Sequence, residues 1–337
     1  MLDVKKDKPV NLLRRIKVSP LAAESFGVRS MCTMVETPDA MVLLDAGISL
    51  APYRFSLPPH PIEFQTIANL RRTIAKAADK AQVTTISHYH FDHHTPSFED
   101  WVGNWTEPNE TARQIYQNKI TLIKNPTENI NASQRHRAWM FQKTGGKHAK
   151  ILEAADARTF TYGSTSLRFS KAVAHGSDNS VQGWVIMVVI KHEEERFMFA
   201  PDVQGPISSL TLRLILDMQP TVIMLGGPPL YLGGFRVNIA QLEQGLKNLE
   251  QIVEAVPLVI LEHHALRDEL WKSKMAEVFQ KASQSGHSIV TAAEYAGREN
   301  LFLESRRKQL YYEQPPSGEF KQWIKTLNRK KISKPPI

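Results

Sequence analysis

The stretch His88-Tyr89-His90-Phe91-Asp92-His93-His94 puts four histidines and an aspartate into seven residues. It follows Val83-Thr84-Thr85-Ile86, a β-branched apolar run that reads as a buried strand. On an extended or tightly looped backbone, residues two apart lie on one side. His88 and His90 can therefore reach a common point, while Asp92 and His93 turn past it toward a second. Neutral imidazole and carboxylate suit Zn²⁺ first, and also Fe or Mn. A histidine-rich surface loop is the alternative. It is disfavoured because further ligand types recur after strand-like runs downstream. His175 follows the run 169–174 and precedes Gly176. Asp202 follows Phe197-Met198-Phe199-Ala200-Pro201, and His263 and His264 follow 258–261. Asp45 closes the run Met41-Val42-Leu43-Leu44.

Working outward, residues 30–36 and 41–45 flank Thr37-Pro38-Asp39-Ala40 and read as a hairpin, with Pro and Asp supplying the turn. Ser56-Leu57-Pro58-Pro59-His60-Pro61 is a stiff loop. Pro61 then opens a helix through about Lys80, with Phe64, Ile67, Leu70, Ile74 and Ala77 on one face. Residues 95–155 are the least regular part. Helical patterns at 111–119 and 132–143 sit among turn residues, and the region reads as an insertion near the mouth of the site. Strands are expected at 159–162, 166–172, 182–191, 196–200, 221–225, 257–261 and 288–292. Helices are expected at 208–218, 239–255 and 268–285, the last with Asp268 as its N-cap. Two groups of strands, each followed by helices, predict an α/β (α+β) chain folded as a four-layer αββα sandwich.

The chain has 337 residues, 42% of them hydrophobic, enough to bury a sizeable core. A single cysteine, Cys32, excludes an intrachain disulfide and fits a reducing compartment. No segment reads as a secretory signal or a membrane span, so a cytoplasmic protein is expected. The net charge of +8 is unevenly spread. Residues 1–18 carry six basic side chains against two acidic, and 301–337 carry nine against three, which leaves the body slightly negative. The expected organisation is a basic segment over 1–18, one domain over 19–300 and a basic extension over 301–337. Basic ends attract nucleic acid or ribosomal surfaces; solvated, partly frayed termini are the plainer reading. A nucleic-acid- or ribosome-associated protein with a mainly structural metal site is thus the alternative to an enzyme.

The order Asp45, His88-x-His90-x-Asp92-His93, His175, Asp202, His263 resembles the five-motif pattern of the metallo-β-lactamase superfamily. The segment 21–30, with Leu57-Pro58-Pro59-His60-Pro61 and His263-His264-Ala265-Leu266-Arg267-Asp268, further resembles an archaeal family within it, a likeness that carries no substrate. The resemblance implies two divalent metal ions. His88, His90 and His175 would hold the first. Asp92, His93 and a late histidine would hold the second, with Asp202 bridging. His263 is favoured as that late histidine because it comes first past the strand; His264 stays open. Asp45 would orient the histidine loop without ligating.

Departures narrow the activity. The β-lactamases of this fold use a cysteine where Asp202 stands. Its flavin-linked diiron reductases place a glutamate at the position of His90. Its RNA-cleaving members with a large cap need a long insertion after the fourth motif, whereas about sixty residues separate Asp202 from His263. What remains is a hydrolase, not a β-lactamase, in which Asp92 and Asp202 take part in catalysis. Two metals would share a water, lower its pKa from about 15.7 toward roughly 7, and direct the hydroxide at phosphorus or a carbonyl carbon. Candidates for a general acid are His264, Arg267 and Asp268. Tyr53, Arg54 and His60 are candidates for binding an anionic group. Gly226-Gly227-Pro228-Pro229 reads as a tight loop passing the metals, and His136, His148, His192 and His287 as exposed.

Overall fold

Alternation along the strands sorts side chains into layers. The computed structural model describes residues 12–178, 181–327 and 333–337. Its first sheet has the order β1 (Lys17–Pro20), β2 (Thr33–Glu36), β3 (Met41–Leu44), β4 (Val83–Ile86), β5 (Ile120–Ile123) and β6 (Ile151–Ala154). The first three strands are antiparallel and β3 to β6 run parallel. The chain continues through β7 (Thr159–Tyr162), β8 (Thr165–Phe169), a short pair β9 (Val173–Ala174) and β10 (Trp184–Val185), and then β11 (Val188–His192), β12 (Glu195–Ala200), β13 (Val222–Gly226), β14 (Leu258–Glu262) and β15 (Ser288–Val290). The second sheet is ordered β15-β14-β13-β12-β11-β8-β7, parallel from β12 to β15 and antiparallel across the rest.

Val42 and Leu44 of β3 meet Leu258 and Ile260 of β14 in the cluster between the sheets. Leu43 turns the other way, toward α1 (Pro61–Lys80), α2 (Glu110–Tyr116) and α3 (Ala132–Lys143). On the far side, Val259 and Leu261 pack under α4 (Ser209–Met218), α5 (Ile239–Ala255), the single turn α6 (Trp271–Lys274) and α7 (Ala276–Gln284). Both faces of each sheet are thus covered, which explains why the strands read as continuous apolar runs. The result is the four-layer αββα sandwich, and the carboxyl ends of β3, β4, β12 and β14 carry the site residues. The chain ends with α8 (Ala292–Tyr295), α9 (Arg307–Glu313) and α10 (Gly318–Ile324), whose Phe320 and Trp323 join Phe64 of α1 in the outer core of the first sheet.

Several expectations differ from the structure. Residues 95–155, read as an insertion, supply β5 and β6 to the first sheet as well as α2 and α3. These strands have four residues each and pair in parallel with partners distant in sequence, so no local hairpin signal marks them. The helix expected over 268–285 is broken at Met275, where φ is −113° and ψ 21°. Asp268 does not cap it; its carboxylate accepts from Leu270 N and pairs with Lys274. His192, expected exposed, is buried against Thr165 and Asp39. The part of the basic extension over 301–327 is docked, with Arg307 fully buried on Glu63. Residues 1–11 of the basic N-terminal segment and the basic run 328–332 lie outside the described residues. Among the described residues no helix is long and apolar enough to cross a membrane.

Candidate metal centre

His88 begins the loop that leaves β4, and the turn 90–94 closes on backbone bonds from His93 N and His94 N to the carbonyl of His90. Gly47 lets this loop lie against the end of β3: a Cβ there would sit 2.3 Å from His94 N. Gly226 does the same for Asp202, whose backbone N would be 2.6 Å from an added Cβ. Asp45, Asp202 and His263 all adopt left-handed backbone, with φ of 44°, 51° and 65°. Such conformations disfavour non-glycine residues, and they concentrate at functional sites.

Asp202 lies at the centre. Its Oδ2 is 3.0 Å from His175 Nε2, 3.1 Å from His88 Nε2, 3.3 Å from His93 Nε2 and 3.8 Å from His90 Nδ1. Its Oδ1 is 3.0 Å from His263 Nε2 and 3.2 Å from His264 Nε2. His263 Nε2 is also 3.5 Å from Asp92 Oδ2. Donor atoms form the groups His88-His90-His175-Asp202 and Asp92-His93-His263, each within 4.8 Å and each of a size to hold a cation, and His88 and His93 fall into another with Asp45. Asp202 and His264 add a further group with His263, so both late histidines stand at the site.

The residues behind the donors decide where their lone pairs point. His93 Nδ1 donates to Asp45 Oδ2 at 2.8 Å, which leaves Nε2 free toward Asp202. His88 Nδ1 faces Ser87 Oγ at 3.0 Å, and Ser87 Oγ donates to Asp45. Asp45 thus stands behind both His88 and His93, held in turn by Ser87 N at 2.8 Å. Gln204 lies 3.3 Å behind His175 Nδ1. His94 turns away from the cluster: its Nδ1 meets the carbonyl of His90 at 2.9 Å and its ring packs on Tyr89, Phe91 and Phe141.

The donor set fits divalent cations. His93 Nε2 and Asp202 Oδ1 are buried and lack any hydrogen-bond partner. A buried polar atom left so costs about 1–3 kcal/mol, and here the unpaired atoms converge. Burial pushes His88 well below the ordinary imidazole range, helped by its histidine neighbours, so its lone pair is available. Burial pulls the same way on His93, but Asp202, Asp45 and Asp92 outweigh it and hold that imidazole well above its usual range. Burial raises the Asp202 carboxyl, yet His263, His175 and His93 outweigh it and hold it well below the carboxylate range. Asp202, Asp45 and Asp92 thus concentrate negative charge on the cluster, which a divalent cation would neutralise.

Other sequence candidates fall differently. His60 caps α1 and its Nε2 lies 2.8 Å from the carbonyl of Gln314, so it belongs to the scaffold. Arg54 stacks on Phe55 and Tyr231, 4.7 Å from each ring, and donates to the carbonyl of Arg267. Ser87, Glu24, Gln204 and Tyr231 have no sequence signal of their own. Glu24 binds Arg267 Nε at 2.5 Å from 243 residues away, and burial raises its carboxyl to about 8.

Two mixed sheets face to face with helices outside, and a histidine-aspartate cluster at the strand ends, are the arrangement of the metallo-β-lactamase fold with a candidate metal centre. The chain belongs to the UPF0282 family. It is 40% identical over 295 residues to the UPF0282 protein of Methanopyrus kandleri, covering 88% of this chain and 99% of that one. It is 41% identical over 297 residues to that of Thermococcus kodakarensis, covering 88% and 95%. No family model matches the chain. Among solved structures it is similar to YhfI of Bacillus subtilis, a metallo-β-lactamase fold protein, with a TM-score of 0.49, 12% identity, and 83% of this chain and 96% of that chain covered.

Proposed function

We propose that this protein is a metal-dependent hydrolase acting on a phosphoester or carboxyl-ester-type bond, with two divalent cations, Zn²⁺ first among them, sharing Asp202. One observation carries the reading. His88, His93 and His175 gather on one oxygen of the buried Asp202 carboxylate and His263 and His264 on the other, and atoms of both Asp202 and His93 remain unpaired. Bound there, divalent cations act as Lewis acids and bring the pKa of water from about 15.7 toward roughly 7. The chain's own residues do the rest. Asp45 and Ser87 keep His88 and His93 in the tautomer that presents Nε2 inward. Asp202 and Asp92 supply negative charge that a cation neutralises. The side chains of His90, Asp92 and His264 are 29%, 16% and 12% exposed, whereas those of His88, His93, His175 and His263 are 3% or less. Substrate would therefore approach across His90, Asp92 and His264.

The test is metal analysis of the isolated protein combined with two reporters, bis(p-nitrophenyl) phosphate and p-nitrophenyl acetate. Bound metal and chelator-sensitive turnover of at least one reporter are expected. Full metal occupancy with no turnover of either would overturn the reading.

A further inference from the structure

The candidate donors in the stretch 88–94 are His88, His90, Asp92 and His93. Two of its other rings, Phe91 and His94, line a separate cleft of about 190 Å³. Phe98 continues that wall, its ring 5.3 Å from the ring of Phe91. Arg137, Met140 and Phe141 of α3 complete the lining, with the His94 ring 5.8 Å from that of Phe141. The cleft is apolar and open to solvent, since Phe98 and Met140 remain 42% and 39% exposed. Apolar surface left in water is unfavourable, and a contiguous patch of it commonly marks a binding site.

The position of the cleft and its one guanidinium say what fills it. Phe91 stands between His90 and Asp92, which with His264 are the donors most open to solvent. The cleft therefore adjoins the edge by which substrate would reach the metals. Arg137 joins the two places. Its Cζ lies 5.0 Å over the Phe91 ring, and its Nη1 donates to the carbonyl of Tyr89 at 3.3 Å. Neither contact is an ion pair, and Arg137 has no ion-pair partner among the described residues. Burial lowers its pKa, and the field of Asp92 raises it. A guanidinium with N–H groups to spare and no carboxylate of its own suits a phosphate better than a neutral ester. Clefts for drug-sized ligands run to about 300–1,000 Å³, so this one has room for one ring or a short chain.

We propose that the substrate is a phosphoester carrying one aryl or short alkyl group, that this cleft receives the group, and that Arg137 binds the adjoining phosphate. The proposal rests on the hydrolase reading and narrows it from two ester classes to one. It gives Phe91 and His94, which the donor groups leave aside, the task of shaping specificity.

The experiment measures binding of two non-hydrolysable probes, phenylphosphonate and methylphosphonate, to the zinc-loaded full chain by isothermal titration calorimetry. Phenylphosphonate should bind about 10–100-fold more tightly, the range expected for burying one aromatic side chain. Equal affinity overturns the proposal. The double variant Phe98→Ala/Met140→Ala changes two surface positions, so the core stays intact. It should lose most of that preference and keep its affinity for methylphosphonate; a preference that survives there puts the ring elsewhere and overturns the proposal. Arg137→Ala should weaken both probes about 10–100-fold, with part of the loss recovered in Arg137→Lys, and unchanged affinity overturns the part given to Arg137. Sedimentation velocity covers the other occupant: a dimer that dissociates in the double variant would mean that a second copy fills the cleft, which also overturns the proposal. Ring preference in binding without turnover of any ester defeats the hydrolase reading and leaves the cleft's preference standing. Turnover without that preference defeats the cleft and leaves the hydrolase reading standing.

Discussion

Two buried polar clusters in this fold are built on opposite terms. In the C-terminal clasp, Arg307 Nε and Nη2 meet both oxygens of Glu63 at 2.8 Å, and its Nη1 donates to the carbonyl of Leu57 at 3.0 Å. Nearby, Arg29 grips Glu304 in the same paired manner at 2.6 and 2.7 Å. Bidentate pairs of this kind satisfy both partners and fix geometry as well as charge. The metal centre is no less buried, yet it leaves His93 Nε2 and Asp202 Oδ1 unpaired and strains the backbone at Asp45, Asp202 and His263. A satisfied cluster holds two parts of a chain together. An unsatisfied one whose free atoms converge is shaped for something the chain does not contain. The clasp also serves the centre, because Leu57 and Pro59, which it holds through Arg307 and Tyr311, lie in the loop that carries Arg54 to Tyr231.

The largest expected effect breaks the comparison on the side of the centre. Asp202→Ala should remove at least one metal and lower turnover by about 10³-fold or more, beyond the 10²–10³ typical of losing one electrostatic group. Metal content by mass spectrometry alongside the reporter assay checks it, and retention of all metal would refute the sharing role. On the side of the clasp, Arg307→Ala strands Glu63 in a site where burial already raises its pKa. Breaking a buried pair this way costs about 3–5 kcal/mol, whereas replacing both partners by apolar residues is often neutral. Urea unfolding should therefore show Arg307→Ala strongly destabilised and Glu63→Leu/Arg307→Met close to wild type, with metal content unchanged in the folded fraction of each.

The same contrast explains what could be read from sequence. The candidate ligands were legible because each sits in or just past a local apolar run: His88, His90, Asp92 and His93 after β4, His175 after β9, Asp202 after β12 and His263 after β14. Strand ends are local facts, and the structure brings these residues together. The clasp joins residues 244 and 275 apart, and nothing near Arg307 or Glu304 in sequence names Glu63 or Arg29. Both late histidines reach Asp202 Oδ1 and both meet Arg267, contacts that no pattern around residues 263–264 announces. Strands β5 and β6 were missed because parallel pairing, β5 with β4 and β6 with β5, leaves no turn signature between neighbours.

A smaller effect probes the support of the centre. Asp45→Asn keeps the shape but weakens the acceptor that orients His93 and, through Ser87, His88. Losses of this kind typically reduce metal affinity about 10–100-fold. Zinc titration against a competing chelator should show that loss with the fold intact by circular dichroism. An unchanged affinity would mean that the histidine loop holds its own orientation.

The mildest test returns to the clasp through pH. Burial raises the Glu304 carboxyl, but Arg29, then Arg267 and Arg307, outweigh it and bring its pKa down to about 2. A carboxyl depressed in the folded state stabilises it fully above the unfolded pKa, about 4.5, and loses that contribution as pH falls through the folded value. The stability gap between wild type and Glu304→Gln should therefore be level from pH 7 to about 5 and shrink steadily below that, as the wild type gives up its ionised pair. Urea unfolding of the metal-free pair across this range decides the matter, and a gap that stays constant down to pH 3 would show that the clasp draws its strength from packing and not from charge.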